Sequence, residues 1–314
     1  MTQEPAQIAV IIPCYNEEAA IGSVVRDFRT ALPGATVYVY DNASSDHTAQ
    51  RAREAGAIVR HETRRGKGNV VRRMFADVEA DVYILVDGDD TYDGSAAPAL
   101  VATLIEGGYD IVSGRRIQVA EAAYRAGHVL GNRMLTGLTG LMFHVKLADL
   151  LTGYRVMSRR FVKSFPFTAE GFGIETELTV HAVRLLMPMI EIDTRYKERP
   201  VGSVSKLNTW GDGFRILFTI VSLVREERPF VFFTSIFAVL ALISLIVGTP
   251  VVLDYFHTGL VPRLPSAVLS TGMMLLAFLS LASGLILDTV TRGRWEEKRM
   301  AYLSIPGPQG LKAP

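Results

Sequence analysis

Cysteine is nearly missing from this sequence: Cys14 is the single thiol in 314 residues. That excludes a disulfide framework and a cysteine-based zinc site, and it fits a reducing compartment. Cys14 itself reads as a packed thiol rather than a nucleophile. A dominant charge is missing too. The 33 basic and 32 acidic side chains nearly cancel, so no broad cationic field exists for nucleic acid and no nucleic-acid partner is expected. The six histidines show no H-x-x-x-H spacing. Neither a G-x-G-x-x-G turn nor a G-x-x-x-x-G-K-[ST] loop occurs, which argues against dinucleotide enzymes and P-loop NTPases. Internal repeats are also lacking, and the few polar residues before Ile8 are too short for a signal peptide.

What is present is uneven. Mean hydropathy is +0.23 although 21% of residues are charged, so two kinds of sequence are averaged together. Only six of the basic and four of the acidic side chains lie beyond Arg228. Residues 229 to 253 carry no charge, nor do 264 to 287. Each run exceeds the roughly 20 residues that span a hydrocarbon core of ~30 Å. Two transmembrane helices, about 229–253 and 264–288, are therefore predicted as a hairpin. Arg225 and Arg228 precede it and Arg292, Arg294, Lys298 and Arg299 follow it, against Arg263 alone in the connector. The cation excess puts both ends, and the polar domain, on the cytoplasmic side of an inner membrane. Trp210, Phe214, Leu217, Val221 and Val224 recur at helical steps, predicting an interfacial amphipathic helix over 207–228. The tail 291–314 is expected to be cytoplasmic and disordered after Ser304.

Residues 1–206 read as a soluble α/β domain. Apolar runs at 8–12, 36–40, 57–60, 82–86 and 110–112 alternate with helical stretches at 17–32, 47–55, 69–78 and 97–106. Such alternation predicts a mostly parallel, Rossmann-like sheet with helices on both faces. Beyond Ser113 the pattern changes to a helix-compatible stretch at 121–143, an extended one at 150–157, a helix at 174–187 and a strand at 189–195. Ligands of parallel sheets bind beyond the carboxyl ends of the strands, and the unusual residues fall there. Strand one ends in Pro13-Cys14-Tyr15-Asn16-Glu17-Glu18, where Asn16 suits a helix cap and the glutamates suit its first turn. Strand two ends in Asp41-Asn42, and a carboxylate there can accept from a ring N–H of a nucleotide base. Arg64-Arg65-Gly66-Lys67-Gly68 follows strand three, cations beside flexible glycines leading into a helix, as a diphosphate cradle requires. Strand four ends in Asp87-Gly88-Asp89-Asp90-Thr91-Tyr92-Asp93. A D-x-D tripeptide alone means little, but four aspartates at the end of a buried strand repel one another without a cation among them. Mg²⁺ or Mn²⁺ needs only one or two such carboxylates alongside substrate phosphates.

In order and spacing these segments resemble the family 2 glycosyltransferases of the GT-A fold. Gly131-Asn132-Arg133, Asp149 to Arg155, and Tyr196 to Lys206 resemble the polyprenyl-phosphate branch, which includes dolichyl-phosphate mannose synthase and bacterial undecaprenyl-phosphate glycosyltransferases. The resemblance implies a nucleotide-sugar donor, a polyprenyl-phosphate acceptor and a divalent metal. It implies that Pro13, Tyr15, Glu17 and Asp41 hold the nucleoside with Lys67 beside it, Asp87 near the ribose and metal, and Asp89 the principal metal ligand. Arg133, Arg155 and Lys206, with Arg115 behind them, become candidates for gripping the acceptor phosphate. The chain departs from the pattern at Asn42, where many members are acidic, and at Thr91, where some carry a metal-binding glutamine. Glu175 and Glu177 either start a helix or orient the sugar. A processive polysaccharide synthase fits less well, because Arg294-Trp295 follows both spans and Thr291 stands where its motif has glutamine. A silent nucleotide-binding scaffold is the remaining alternative. Small residues at Ser244/Gly248 and Ser280/Gly284 suit helix packing and a homo-oligomer.

Overall fold

A computed structural model describes residues 5–118, 136, 137, 140, 147–166, 173–200, 218, 221–308, 311 and 313. The chain divides into two compact units, one formed by Met1–Leu217 with Lys298–Pro314, the other by Phe218–Glu297.

The first unit is built on a seven-stranded sheet of order β3-β2-β1-β4-β6-β5-β7. Strands β1 (Ile8–Cys14), β2 (Thr36–Asp41), β3 (Ile58–His61) and β4 (Val82–Leu85) are parallel to one another. The near-continuous apolar runs of β1 and β4 are what burial on both faces demands, whereas β3 is a half-exposed edge strand. Val10 and Ile12 of β1 join Val24, Val25 and Phe28 of α1 (Ile21–Ala31) and Leu100 and Leu104 of α4 (Ala97–Gly107) in one core. Helices α2 (Thr48–Glu54) and α3 (Lys67–Asp77) complete the alternation. All four parallel strands point their carboxyl ends to one edge, which is where the polar segments collect.

The second half of the unit departs from simple alternation. Strand β6 (Arg155–Ser158) runs antiparallel between β4 and β5 (Ile111–Gln118), pairing Leu85 with Arg155 and Ser113 with Arg155. Strand β7 (Met189–Tyr196) lies parallel to β5 over its full length, which extends β5 well past the short run expected at 110–112. A helix not expected from sequence, α5 (Arg159–Ser164), follows β6 at once, with Ser158 as its cap accepting from the Phe161 N–H at 3.2 Å. Helix α6 (Ile174–Arg184) precedes β7. The predicted helix at 121–143 and most of that predicted at 207–228 lie outside the described residues, although 221–227 is helical.

Two helices of the second unit are long and apolar enough to cross a membrane: α7 (Pro229–Thr258, 30 residues) and α8 (Leu264–Leu303, 40 residues). They overrun the expected spans because charge alone does not end a helix: beyond Leu287 the solvated side chains pair, as Arg292 does with Asp288 at 2.8 Å. The small residues work within the hairpin. Ser244 Oγ donates to the Ser270 carbonyl at 2.7 Å and Ser280 Oγ to the Phe233 carbonyl at 3.0 Å, while a Cβ on Gly284 would come within 2.8 Å of Phe233. They join α7 to α8 in one chain and thus lend no support to a homo-oligomer.

The end of the chain returns to the first unit: Tyr302, still within α8, answers a buried charge, and the disorder expected after Ser304 is corrected at Leu311 and Ala313, which fill an apolar surface. Asp110, fully buried, accepts from Arg160 Nε at 2.5 Å and Nη2 at 2.7 Å, from Ser158 Oγ at 2.7 Å and from Tyr302 Oη at 2.8 Å. The Arg160 guanidinium lies 4.7 Å over the Tyr302 ring, and Leu311 and Ala313 pack against the main core.

Candidate active site

The loops after β1 and β2 are stitched to each other, while Asp46 of the second loop also accepts from the Thr48 N–H at the start of α2, at 3.0 Å. Asn16 donates its N–H to Ser44 Oγ at 2.9 Å and accepts from the Ser45 N–H at 2.8 Å. The Glu17 N–H donates to Thr48 Oγ1 at 2.8 Å, and the His47 N–H to the Glu18 carboxylate at 3.1 Å. The expected Asn16 cap and the glutamates in the first helical turn are therefore corrected: α1 begins only at Ile21, and the polar residues serve the neighbouring loop. Asn16, Ala43 and Asp90 all sit in the left-handed backbone region, with φ of 50°, 57° and 58°. Such positions are unfavourable by about 1 kcal/mol or more each and persist where the surroundings over-determine them. All three lie just past the ends of β1, β2 and β4.

Asn42 explains its own departure from an acidic pair. Its Nδ2 donates to the carbonyls of Glu62 at 2.9 Å and Arg64 at 2.8 Å, and its Oδ1 accepts from the Gly66 N–H at 2.7 Å. A carboxylate there would lose both donated bonds. The clamp shapes the turn into α3, where Gly66 takes φ 120°, a conformation L side chains rarely adopt. Lys67, the first residue of α3, is thereby aimed at the end of β4.

A cavity of about 390 Å³ opens there, lined among others by Pro13, Tyr15, Glu17, Lys67, Asp87 and Asp89. Five of the six nucleoside-site candidates and both metal candidates thus share one wall system. Asp41 is the exception: it is buried behind the wall, taking a 3.2 Å contact from His61 Nδ1 on one carboxylate oxygen, while the other has no hydrogen-bond partner. Asn42 and Arg65, the latter from the expected diphosphate cradle, also line the cavity, as does Arg199, which sequence placed only within the Tyr196–Lys206 stretch. Arg65 lies 5.4 Å over the Tyr15 ring. A larger cleft of about 630 Å³, with Glu18, Arg26, Arg51 and Glu54 on its walls, shares Asn16 and Glu17 with the loops but reaches neither Asp87 nor Asp89.

Charge in the smaller cavity is arranged in pairs. Lys67 Nζ lies 2.5 Å from Asp87 Oδ1 and 2.6 Å from Glu175 Oε1. Burial disfavours the ammonium, but Asp87 and Glu175 outweigh it and hold its pKa well above the ordinary lysine value. Burial raises the Asp87 pKa against the pull of Lys67, whereas Lys67 overcomes burial at Glu175 and lowers it. Asp89 is bound on both oxygens: Thr91 Oγ1 donates to Oδ1 at 2.6 Å and Arg199 Nη2 lies 2.6 Å from Oδ2. Arg199 arrives because β7 continues past the aspartate loop, the Lys197 N–H donating to the Thr91 carbonyl at 2.8 Å. Two glycines keep the carboxylates in place. A Cβ on Gly88 would approach Cys14 Sγ to 2.5 Å, and one on Gly153 would collide with the Asp87 carboxylate. Burial pushes the Cys14 thiol well above its ordinary pKa, next to Glu17 and Asp41, so it is a packed group.

The donor set fits a hard divalent cation. Asp87 and Asp89 offer carboxylate oxygen, and among the described residues no cluster of three or more ligating side chains forms. Two protein carboxylates with substrate phosphates supplying the rest is the arrangement Mg²⁺ and Mn²⁺ take.

On the acceptor side the sequence reading needs correction. Arg155 is fully buried, and its three nitrogens donate to the Thr152 carbonyl at 3.2 Å, Thr179 Oγ1 at 2.9 Å and the Leu150 carbonyl at 2.7 Å. It fastens β6 to α6 from a fully buried position and is absent from the cavity lining. Arg115 is exposed and forms a two-point pair with Asp193. Arg133 and Lys206 lie outside the described residues. Glu175 is drawn into the cavity's charge network through Lys67.

The family model for "Glycosyl transferase family 2" matches residues 9–165. Among curated proteins, the chain is 30% identical to glycosyltransferase AglJ of Haloferax volcanii over 74% of this chain and 77% of that protein. It is 32% identical to a dolichyl-phosphate hexose transferase of the same organism, over 70% of this chain and 95% of that protein. Its fold is similar to that of glucosyl-3-phosphoglycerate synthase from Mycobacterium tuberculosis, solved with uridine diphosphate, at TM-score 0.57 and 24% identity over 70% of this chain and 79% of that one.

Proposed function

The chain belongs to glycosyl transferase family 2, and we propose that it transfers a sugar from a nucleotide-sugar donor to a polyprenyl phosphate, with inversion and with a divalent metal, at the cytoplasmic face of the membrane. The observation that carries this reading is the cavity at the ends of β1 and β4, where Asp87 and Asp89 stand beside Pro13, Tyr15, Glu17 and Lys67. The named relative that acts on a dolichyl phosphate, and two helices able to cross a membrane, support the lipid acceptor.

In this reading Pro13, Tyr15 and Glu17 cradle the nucleoside, and Lys67 lies beside it. Asp89 and Asp87 would hold Mg²⁺ or Mn²⁺, which when bound supplies positive charge for the departing diphosphate. The acceptor phosphate has a second pKa near 6 and is already largely anionic at pH 7. Its oxygen attacks the anomeric carbon as the bond to the diphosphate breaks, so no proton has to move and no strong base is needed. The protein's work is alignment and charge stabilisation. Glu175, held ionised by Lys67, is suited to accept hydrogen bonds from sugar hydroxyls. Arg133 and Lys206 remain candidates for the acceptor phosphate, because two anions must be brought together.

The test is a transfer assay. Purified protein in detergent is incubated with polyprenyl phosphate, a panel of nucleotide sugars, and Mg²⁺ or Mn²⁺. A lipid-linked sugar from one donor is expected, and none from any donor would sink the proposal.

A further inference from the structure

Asp89 is the residue on which the proposed metal site depends, yet both of its oxygens have partners. Thr91 is neutral and can share its acceptor with a cation. Arg199 competes with it: a guanidinium 2.6 Å from Oδ2 and a divalent ion on the same carboxylate repel each other at close range. The Arg199–Asp89 pair and metal ligation by Asp89 therefore oppose each other.

Charge counting gives the exchange its direction. Lys67 and Arg199 face Asp87, Asp89 and Glu175, leaving one net negative charge. A divalent ion entering by itself would turn this surplus positive and compete with Arg199 for Asp89. A nucleoside diphosphate entering with the ion restores the balance and offers anionic oxygens to Arg199 on the same cavity wall. Arg199 stands three residues past the end of β7, at Tyr196, so a modest rotation of a long side chain suffices.

We infer that Arg199 is an exchange cation: it holds Asp89 until a nucleoside diphosphate takes its guanidinium, so that a divalent ion binds at Asp89 together with the nucleotide and poorly by itself. The inference rests on the metal site proposed above but requires neither the acceptor nor turnover.

The experiment measures free Mn²⁺ by electron paramagnetic resonance with the full chain in detergent micelles, using Mn²⁺ alone and Mn²⁺ with UDP or GDP. Nucleotide should tighten Mn²⁺ binding to the unsubstituted protein by about tenfold or more, the size of an ordinary binding coupling. Arg199→Gln should bind Mn²⁺ alone about fivefold or more tighter and lose much of the nucleotide-dependent gain. Arg199→Lys, which keeps the charge, should stay near the unsubstituted protein. Unchanged or weaker Mn²⁺ binding by Arg199→Gln overturns the exchange, as does an equal gain in Arg199→Lys. Asp89→Asn separates the two ideas. If it abolishes Mn²⁺ binding while Arg199→Gln gains nothing, only the exchange fails; if it binds Mn²⁺ with nucleotide normally, the metal assignment fails and the exchange with it.

Discussion

Lys67 donates to Glu175 at 2.6 Å across 108 positions of sequence. The same ammonium also pairs with Asp87, so one cation at the start of α3 ties the end of β4 to the start of α6. Without it two carboxylates would face each other at the mouth of the cavity.

Lys67→Met should therefore weaken nucleotide affinity by about tenfold, near 1.4 kcal/mol, and also lower stability. The stability loss should be about 1–2 kcal/mol, below the value for a fully buried pair because all three groups are partly open to water. Titration with UDP or GDP and urea unfolding measure the two separately. Unchanged values for both would mean that the bridge is incidental.

Gly153→Ala places a methyl group against the Asp87 carboxylate. Nucleotide and Mn²⁺ binding should each fall by about tenfold or more, while the far-ultraviolet circular dichroism stays that of the unsubstituted chain. Normal binding would show that Asp87 can shift freely.

His181 gives a pH signature. Burial, aided by Lys298, drives its imidazole pKa down to about 3, below the ordinary ~6.5. The unfolded chain therefore takes up a proton between these values while the folded chain does not. Stability is complete above pH 6.5 and is lost as the pH falls, at about 1.4 kcal/mol per unit. Between pH 7.5 and 5 this one residue should account for roughly 2 kcal/mol. His181→Phe, flanked edge-on by Phe161 and Phe165, should flatten that slope in urea unfolding. Parallel slopes would exclude the histidine as its source.

Arg160→Met leaves Asp110 buried without its cation and should destabilise the first unit by about 3–5 kcal/mol. Tyr302→Phe removes one hydrogen bond to the same carboxylate and should lose about 1–2 kcal/mol. Calorimetry of the full chain measures both. If Tyr302→Phe matches the unsubstituted protein, the tail contact contributes nothing.

The parallel half of the sheet was readable because β1 and β4 are uninterrupted apolar runs buried on both faces, which leaves few other sequences that work. The carboxyl ends stood out for the opposite reason: Asp87, Asp89 and Lys67 are polar residues where packing alone would not place them. Arg155 shows where such reading stops. An arginine in a polar stretch looks the same whether it greets a ligand or is buried against Thr152 and Thr179. Arg199 was overlooked because its partner depends on where β7 ends relative to the aspartate loop, and no local pattern records that distance. Order after Ser304 was missed because Pro and Gly lower local order, whereas Leu311 is held by a surface far away in sequence.

The first unit draws its material from both sides of the hairpin, residues up to Leu217 and again from Lys298. A ribosome making this chain finishes the sheet long before it reaches Tyr302, so Asp110 and Arg160 receive their last partner only when synthesis is nearly over.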